Sequence, residues 1–191
     1  MKMSLKSAQN MYKNLAGTFL SLIKSRKEAL ASARDIDSRS FAENYFYPFI
    51  GVFAVSLFLG RLIHLKTFDV AELLRYSLAK ISALILSYYL ISVSFRYLSE
   101  RYFKKNFSLQ QVQTYVGLIL TIDIAVGILI EFSFPEFLEA LSLYIIVLLW
   151  DGSKSFFQVE EDKRLANTLI TILVFFGIKW FVSFFFNKLI L

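Results

Sequence analysis

Asp123 and Lys179 each interrupt a long apolar block near its middle. An ionisable side chain left bare in lipid costs about 3 kcal/mol or more, so each needs a partner or a task. Asp123 lies about eleven residues into the block Val112–Ile130, and Lys179 about twelve into Asn167–Phe186. If both blocks are helices running the same way, a rise of ~1.5 Å per residue sets the two charges at nearly equal depth. The spacing predicts an intramembrane ion pair. One reading of it is structural, fixing which helices are neighbours and in what rotation. The other is functional, a pair that breaks transiently to gate a proton or ion. The supporting polar set is thin, namely Ser82, Ser87, Thr121 and Thr171 with Tyr88 and Tyr89, and that favours the structural reading.

A second group gathers toward the far side: Lys80, Glu131, Glu136 and Glu139. Glu136 and Glu139 are three apart and share a helix face. Glu136 reads as a helix-start residue, whereas Glu139 either pairs with Lys80 or lines a polar cavity opening outward. Two carboxylates are too few for a divalent-cation site. With no cysteine and the single histidine His64, no thiolate or histidine-rich metal centre is expected, nor any cofactor. His64 reads as an interfacial residue. There is no G-x-S-x-G elbow and no phosphate-binding loop. An intramembrane aspartyl protease would need a second mid-membrane aspartate beside Asp123. The residues point away from an enzyme.

The elements that must position these charges follow from the apolar pattern. Apolar residues make up 57% of the 191 and charged ones 19%, too little charge to cover a soluble domain. They fall in blocks of about twenty, the length that crosses ~30 Å of hydrocarbon. The expected fold is all-α and polytopic, with residues 1–44 as a basic amphipathic region and 45–191 as a five-helix membrane domain. The spans are Tyr45–Ile63, Tyr76–Phe95, Val112–Ile130, Phe134–Trp150 and Asn167–Phe186. Capping boxes are expected at Ser40/Glu43, Asp69/Glu72 and Ser108/Gln111, with Ser133 opening the fourth helix and a Phe68–Leu73 staple at the second. Gly152 is expected to close the fourth helix in a left-handed turn. Pro48 either bends the first helix or opens it, and Gly51 and Gly60 could admit a close neighbour. The fourth block is the shortest, and a re-entrant segment is its alternative.

The net charge is +6, which in this setting suits anionic lipid rather than nucleic acid. With an inside N-terminus, the segments placed on the cytoplasmic side hold 15 Lys and Arg and those on the far side 4. That asymmetry follows the positive-inside rule and puts the C-terminus on the far side. Met11, Leu15, Phe19, Leu22, Ile23 and Leu30 recur at helical spacing among Lys13, Lys24, Arg26 and Lys27. This stripe suits a helix lying in the headgroup layer, or one packed on the cytoplasmic loops. No cleavable signal peptide is expected, because the first strongly apolar block begins near residue 45.

From about Asn44 onward, the chain resembles the Yip (Ypt-interacting protein) membrane family, especially its small bacterial members. The resemblance rests on Tyr47-Pro48-Phe49-Ile50-Gly51, on Leu148-Leu149-Trp150-Asp151-Gly152, and on Lys163-Arg164-Leu165-Ala166. The third helix departs from it, with no glycine pattern beyond Gly117 and Gly127. The resemblance implies a non-enzymatic membrane protein, in the inner membrane if bacterial, and brings no catalytic residues. Eukaryotic members act in vesicle traffic with small GTPases and with each other, partners a bacterial member would lack. The expected role is therefore a membrane scaffold or assembly subunit, binding the bilayer, a membrane-protein partner or a second copy of itself. The alternative is a small oligomeric transporter or channel built on Asp123 and Lys179.

Overall fold

A computed structural model describes residues 17–64, 69–132 and 141–190, and all regular structure among them is helical. Four helices are long and apolar enough to cross a membrane: Ser38–Ile63, Val70–Arg101, Leu109–Glu131 and Glu161–Lys188. That fits an integral membrane protein. In chain order, α1 covers 17–24 and α2 Arg26–Ser32. Next, α3 (Ser38–Phe41) passes through a wide turn at Ala42–Phe46 into α4 (Tyr47–His64). Then come α5 (Val70–Arg101), α6 (Leu109–Glu131), α7 (Tyr144–Ser155) and α8 (Glu161–Ile190).

Two starts follow the local sequence. Asp69 accepts the N–H groups of Ala71 and Glu72 at α5. Ser108 and Gln111 form a full capping box at α6. Each supplies acceptors for N–H groups that have no partner within the helix. The first spanning helix starts differently from expectation. Asp37, not Ser40, is the cap, and Ser40 contributes the N–H donor at 2.8 Å. Pro48 neither opens the helix nor breaks it. A proline ring collides with the carbonyl four residues back, here that of Asn44. The Ala42–Phe46 segment is wound as a π-turn, with the Tyr47 N–H reaching Ala42 O five residues back. The wider turn displaces that carbonyl and lets the helix run on.

α5 and α8 outrun their apolar cores because their charged ends carry helix beyond the ~30 Å that hydropathy detects. Of the expected fourth span, residues 134–140 lie outside the described residues, as do Ser133 and Phe68. The described part opens with a tight 3₁₀ turn at 141–143 and continues as α7. Gly152 does not form a left-handed cap. It sits inside α7, and the left-handed residue is Gln158 (φ 53°).

The same terminator closes α5. There Tyr102 and Phe103 N–H both bond Leu98 O, Lys105 N–H bonds Ser99 O, and Lys104 between them has φ 53°. At α7, Phe156 and Phe157 bond Gly152 O, Val159 bonds Ser153 O, and Gln158 takes the left-handed place. The hydroxyls of Ser99 and Ser153 each donate to the carbonyl three residues back, at 2.7 Å. One backbone device thus ends both helices at the same end of the bundle, called here the basic end for its lysines and arginines.

α6 is the central post. α4 runs parallel to it, with large residues of one helix over small ones of the other. Phe41 and Phe46 lie over Gly117, Phe53 over Gly127, and Glu131 over Gly60. A Cβ at Gly60 would stand 2.5 Å from the Glu131 carbonyl oxygen, which is backbone and cannot swing away. α7 packs against α6, α8 and α2, while α5 packs against α6 and α8. The outer faces of α5 and α8 stay apolar and exposed, as at Leu78, Leu173 and Trp180. Within the described part of the N-terminal stripe, Leu22 and Leu30 are fully buried, the Phe19 ring stacks on Phe49 and the Tyr144 hydroxyl donates to Leu22 O, whereas Ile23 stays exposed. Lys13 lies outside the described residues.

Gly60→Ala should lower the unfolding free energy in detergent by about 1–3 kcal/mol, the usual cost of overpacking. Gly51→Ala, with nothing within 4 Å of the added carbon, should gain up to about 1 kcal/mol from helix propensity. Thermal unfolding of the two variants, side by side, reads the opposite signs.

Candidate functional site

The mid-helix charges meet. The Lys179 ammonium donates to Asp123 Oδ1, bridging α8 to α6. The two side chains are 23% and 20% exposed. That exposure comes from a cavity of about 400 Å³ between α5, α6 and α8. Lys80, Ser87, Ser142 and Ser183 also line it, with Phe53 from α4. Phe175, one helical turn before Lys179, places its ring 5.9 Å from the ammonium. In an apolar setting, attraction between paired charges offsets their desolvation only when hydrogen bonds complete the pair. This pair has one hydrogen bond and a polar cavity beside it.

Lys80 faces the cavity and sits 5.6 Å from the Tyr76 ring. It makes no ion pair among the described residues. Glu136 and Glu139, its expected company, lie outside them. Glu131 accepts the Tyr76 hydroxyl at 2.6 Å. The Tyr76 ring also carries the Arg61 guanidinium at 5.1 Å, and Arg61 pairs with Glu72 at 2.9 Å. A polar chain thus runs from Glu72 and Arg61 through Tyr76 to Glu131, ending beside Lys80. Among the described residues, no three His, Cys, Asp or Glu side chains come together as metal ligands would. A cavity with two lysines and an aspartate can hold an anion or zwitterion, or pass a proton between paired groups.

A second carboxylate organises the basic end, and sequence reasoning missed it. Asp151 is 4% exposed. Arg26 of α2 donates to its Oδ2, and Arg164 of α8 lies 3.7 Å from its Oδ1. The Asp151 carboxylate reinforces the charged form of Arg26. Arg164 also donates to Trp150 O at 3.2 Å and lies 4.3 Å over the Trp150 ring. Arg26, read from sequence as a headgroup-facing charge, is therefore committed to Asp151. Lys24 and Lys27 on the same stretch remain exposed. The signal was present at Trp150-Asp151-Gly152, a carboxylate ending an apolar block. Its partner, 125 positions away, could not be found from spacing.

Beneath Asp151, aromatic rings lock the two loops of the basic end. Tyr115 stacks on Phe156 at 4.4 Å, Phe156 on Phe107 at 4.9 Å, and Phe157 meets Phe103 edge-on at 5.2 Å. Gly152 is small for this reason: a Cβ there would lie 2.1 Å from the Tyr115 hydroxyl.

Asp123→Asn or Lys179→Met alone leaves the other charge stranded and should cost about 3 kcal/mol. The exchanged variant, Asp123→Lys with Lys179→Asp, should recover most of it. Detergent unfolding and membrane yield measure this, and single variants indistinguishable from the parent would remove the pair from the account.

No protein-family model, curated protein or solved structure matches this chain.

Proposed function

We propose that the chain is a non-enzymatic membrane scaffold or assembly subunit whose working surface is the basic end. The observation that carries this is the way that end is tied together. One buried carboxylate ties the N-terminal layer to α7 and α8, and an aromatic cluster joins the loops after α5 and α7. A surface built to stay fixed suits docking, since binding to it costs little ordering entropy. The positive charge gathered there supports a cytoplasmic position for this end under the positive-inside rule. α7 supports the five-span reading. Leu141, just before α7, lines the same groove as Leu129, and Gly152 lies beside Tyr115, so this stretch runs antiparallel to α6. With five spans, the C-terminus lies on the far side. The Yip-like segments fall on these same elements: Tyr47–Gly51 opens α4, Leu148–Gly152 holds the bridged carboxylate, and Lys163–Ala166 supplies Arg164.

The decisive measurement is the mass of the native particle, extracted in mild detergent from its own membrane after gentle crosslinking. A second protein at fixed stoichiometry is the expected result, and its recovery should fall when Lys24 and Lys27 are changed to Gln. A lone chain of unchanged mass in both forms would sink the scaffold reading.

A second reading is favoured by the cavity. Lys80, Asp123 and Lys179 around about 400 Å³ of space suit a small oligomeric transporter or channel. On that reading, solute or ion flux in liposomes is abolished by Asp123→Asn, and an unchanged flux rules the charge out of any path.

A further inference from the structure

At the basic end, the α5–α8 seam opens into a second cavity of about 300 Å³, outside the ion-pair site. Lys104, Lys105 and Lys163 line it with one carboxylate, Glu160. Glu160 already accepts from Lys163 at 2.6 Å. Its carboxyl is held below the usual range, first by that hydrogen bond and further by the charge of Lys105. The lining therefore carries an excess of two positive charges, close enough to act on one anion.

Three further observations mark this as a prepared site. Both left-handed non-glycine residues among the described ones, Lys104 and Gln158, are on its wall. Each is the left-handed residue of the terminator that closes α5 or α7, so those two helix ends fix the backbone of the wall. Asn167, only 8% exposed, lines the cavity and brings a polar side chain to it. The rim is rigid, because the aromatic cluster clamps the two loops from below.

The same seam continues away from the basic end as an apolar groove of about 600 Å³, exposed along the outer face. Its walls include Tyr97 and Leu98 of α5 with Val174 and Gly177 of α8. Leu98 is one turn from Tyr102 of the cavity rim. Val174 is seven residues from Asn167, or about 10 Å along the helix. The Gly177 face is open. A cationic pocket above an open apolar groove has the proportions of one phospholipid, with the phosphate among the lysines and an acyl chain along Gly177. Basic pockets between spanning helices are a known form of headgroup site.

We propose that this seam is a specific site for one anionic phospholipid. Lys104, Lys105 and the Asn167 amide hold the phosphate, while Val174 and Gly177 seat a chain. The assignment rests on the basic end being the docking surface, and it names lipid as one of the things docked there. A free phosphate could use the lysines, but it would have no use for the groove.

The test is native mass spectrometry of the full chain in mild detergent with added phosphatidylglycerol, against phosphatidylcholine and inorganic phosphate. One phosphatidylglycerol should bind per chain, at least about ten-fold more tightly than phosphatidylcholine. Lys104→Asn with Lys105→Gln should remove that preference, asparagine being at ease in the left-handed conformation. Lys104→Arg with Lys105→Arg should keep it. Gly177→Leu, which fills the groove and leaves the lysines intact, should weaken lipid binding as well and serves as an independent variant. Lys24→Gln with Lys27→Gln should have no effect. Equal retention by the Lys104/Lys105 neutral pair, or equal loss in the Lys24/Lys27 control, would overturn the site. Displacement by millimolar inorganic phosphate with no effect of Gly177→Leu would reassign it to a soluble anion. The particle mass in the same spectra reports any partner separately, so loss of the lipid site and loss of the scaffold reading are told apart.

Discussion

A carboxylate withdrawn from water must keep its counter-charges, and in this bundle two of them decide which helices are neighbours. Asp151 draws an arginine from the N-terminal layer and another from the last helix. Asp123 draws Lys179 across from α8 to α6. Both bonds hold α8, whose outer face is so apolar that lipid would accept it in many rotations. Its residues are hydrophobic nearly all round, and such a helix carries little information about its own orientation. The two cations supply that information: Lys179 cannot turn toward lipid without leaving Asp123 bare, and Arg164 would give up its share of Asp151.

Close packing does the remaining work at the α4–α6 contact. Lipid chains are as apolar as leucine, so burial alone drives little association between spanning helices. What distinguishes this contact is shape. Rings of α3, the wide turn and α4 occupy the places where α6 has glycine, and a glycine of α4 meets the backbone of α6 at Glu131. The same logic holds at Gly152 and Tyr115. Packing through absent side chains gains dispersion contacts over a large area without adding side-chain ordering cost.

Two regions of the molecule are built for different behaviour. The basic end is tied by ion pairs, stacked rings and two copies of one helix terminator. Midway along the helices, the Asp123–Lys179 pair borders a polar cavity with room for something other than protein.

The periodicity and length of the apolar blocks determined the helical class and the approximate position of the four long helices, because crossing hydrocarbon imposes a length that composition reveals. Local chemistry also placed the starts of α5 and α6, where Asp69 and Ser108 reach N–H groups two or three residues away. Depth arithmetic even paired Asp123 with Lys179, since helical rise converts sequence position into height. Whatever depended on rotation or distant partners escaped. Spacing cannot show that Arg26 turns inward to Asp151, that Gly152 yields room to Tyr115, or that a π-turn absorbs Pro48. Those facts follow from which faces meet. Faces of nearly uniform hydrophobicity carry no mark of their neighbours until the helices are packed and each buried charge has found its opposite.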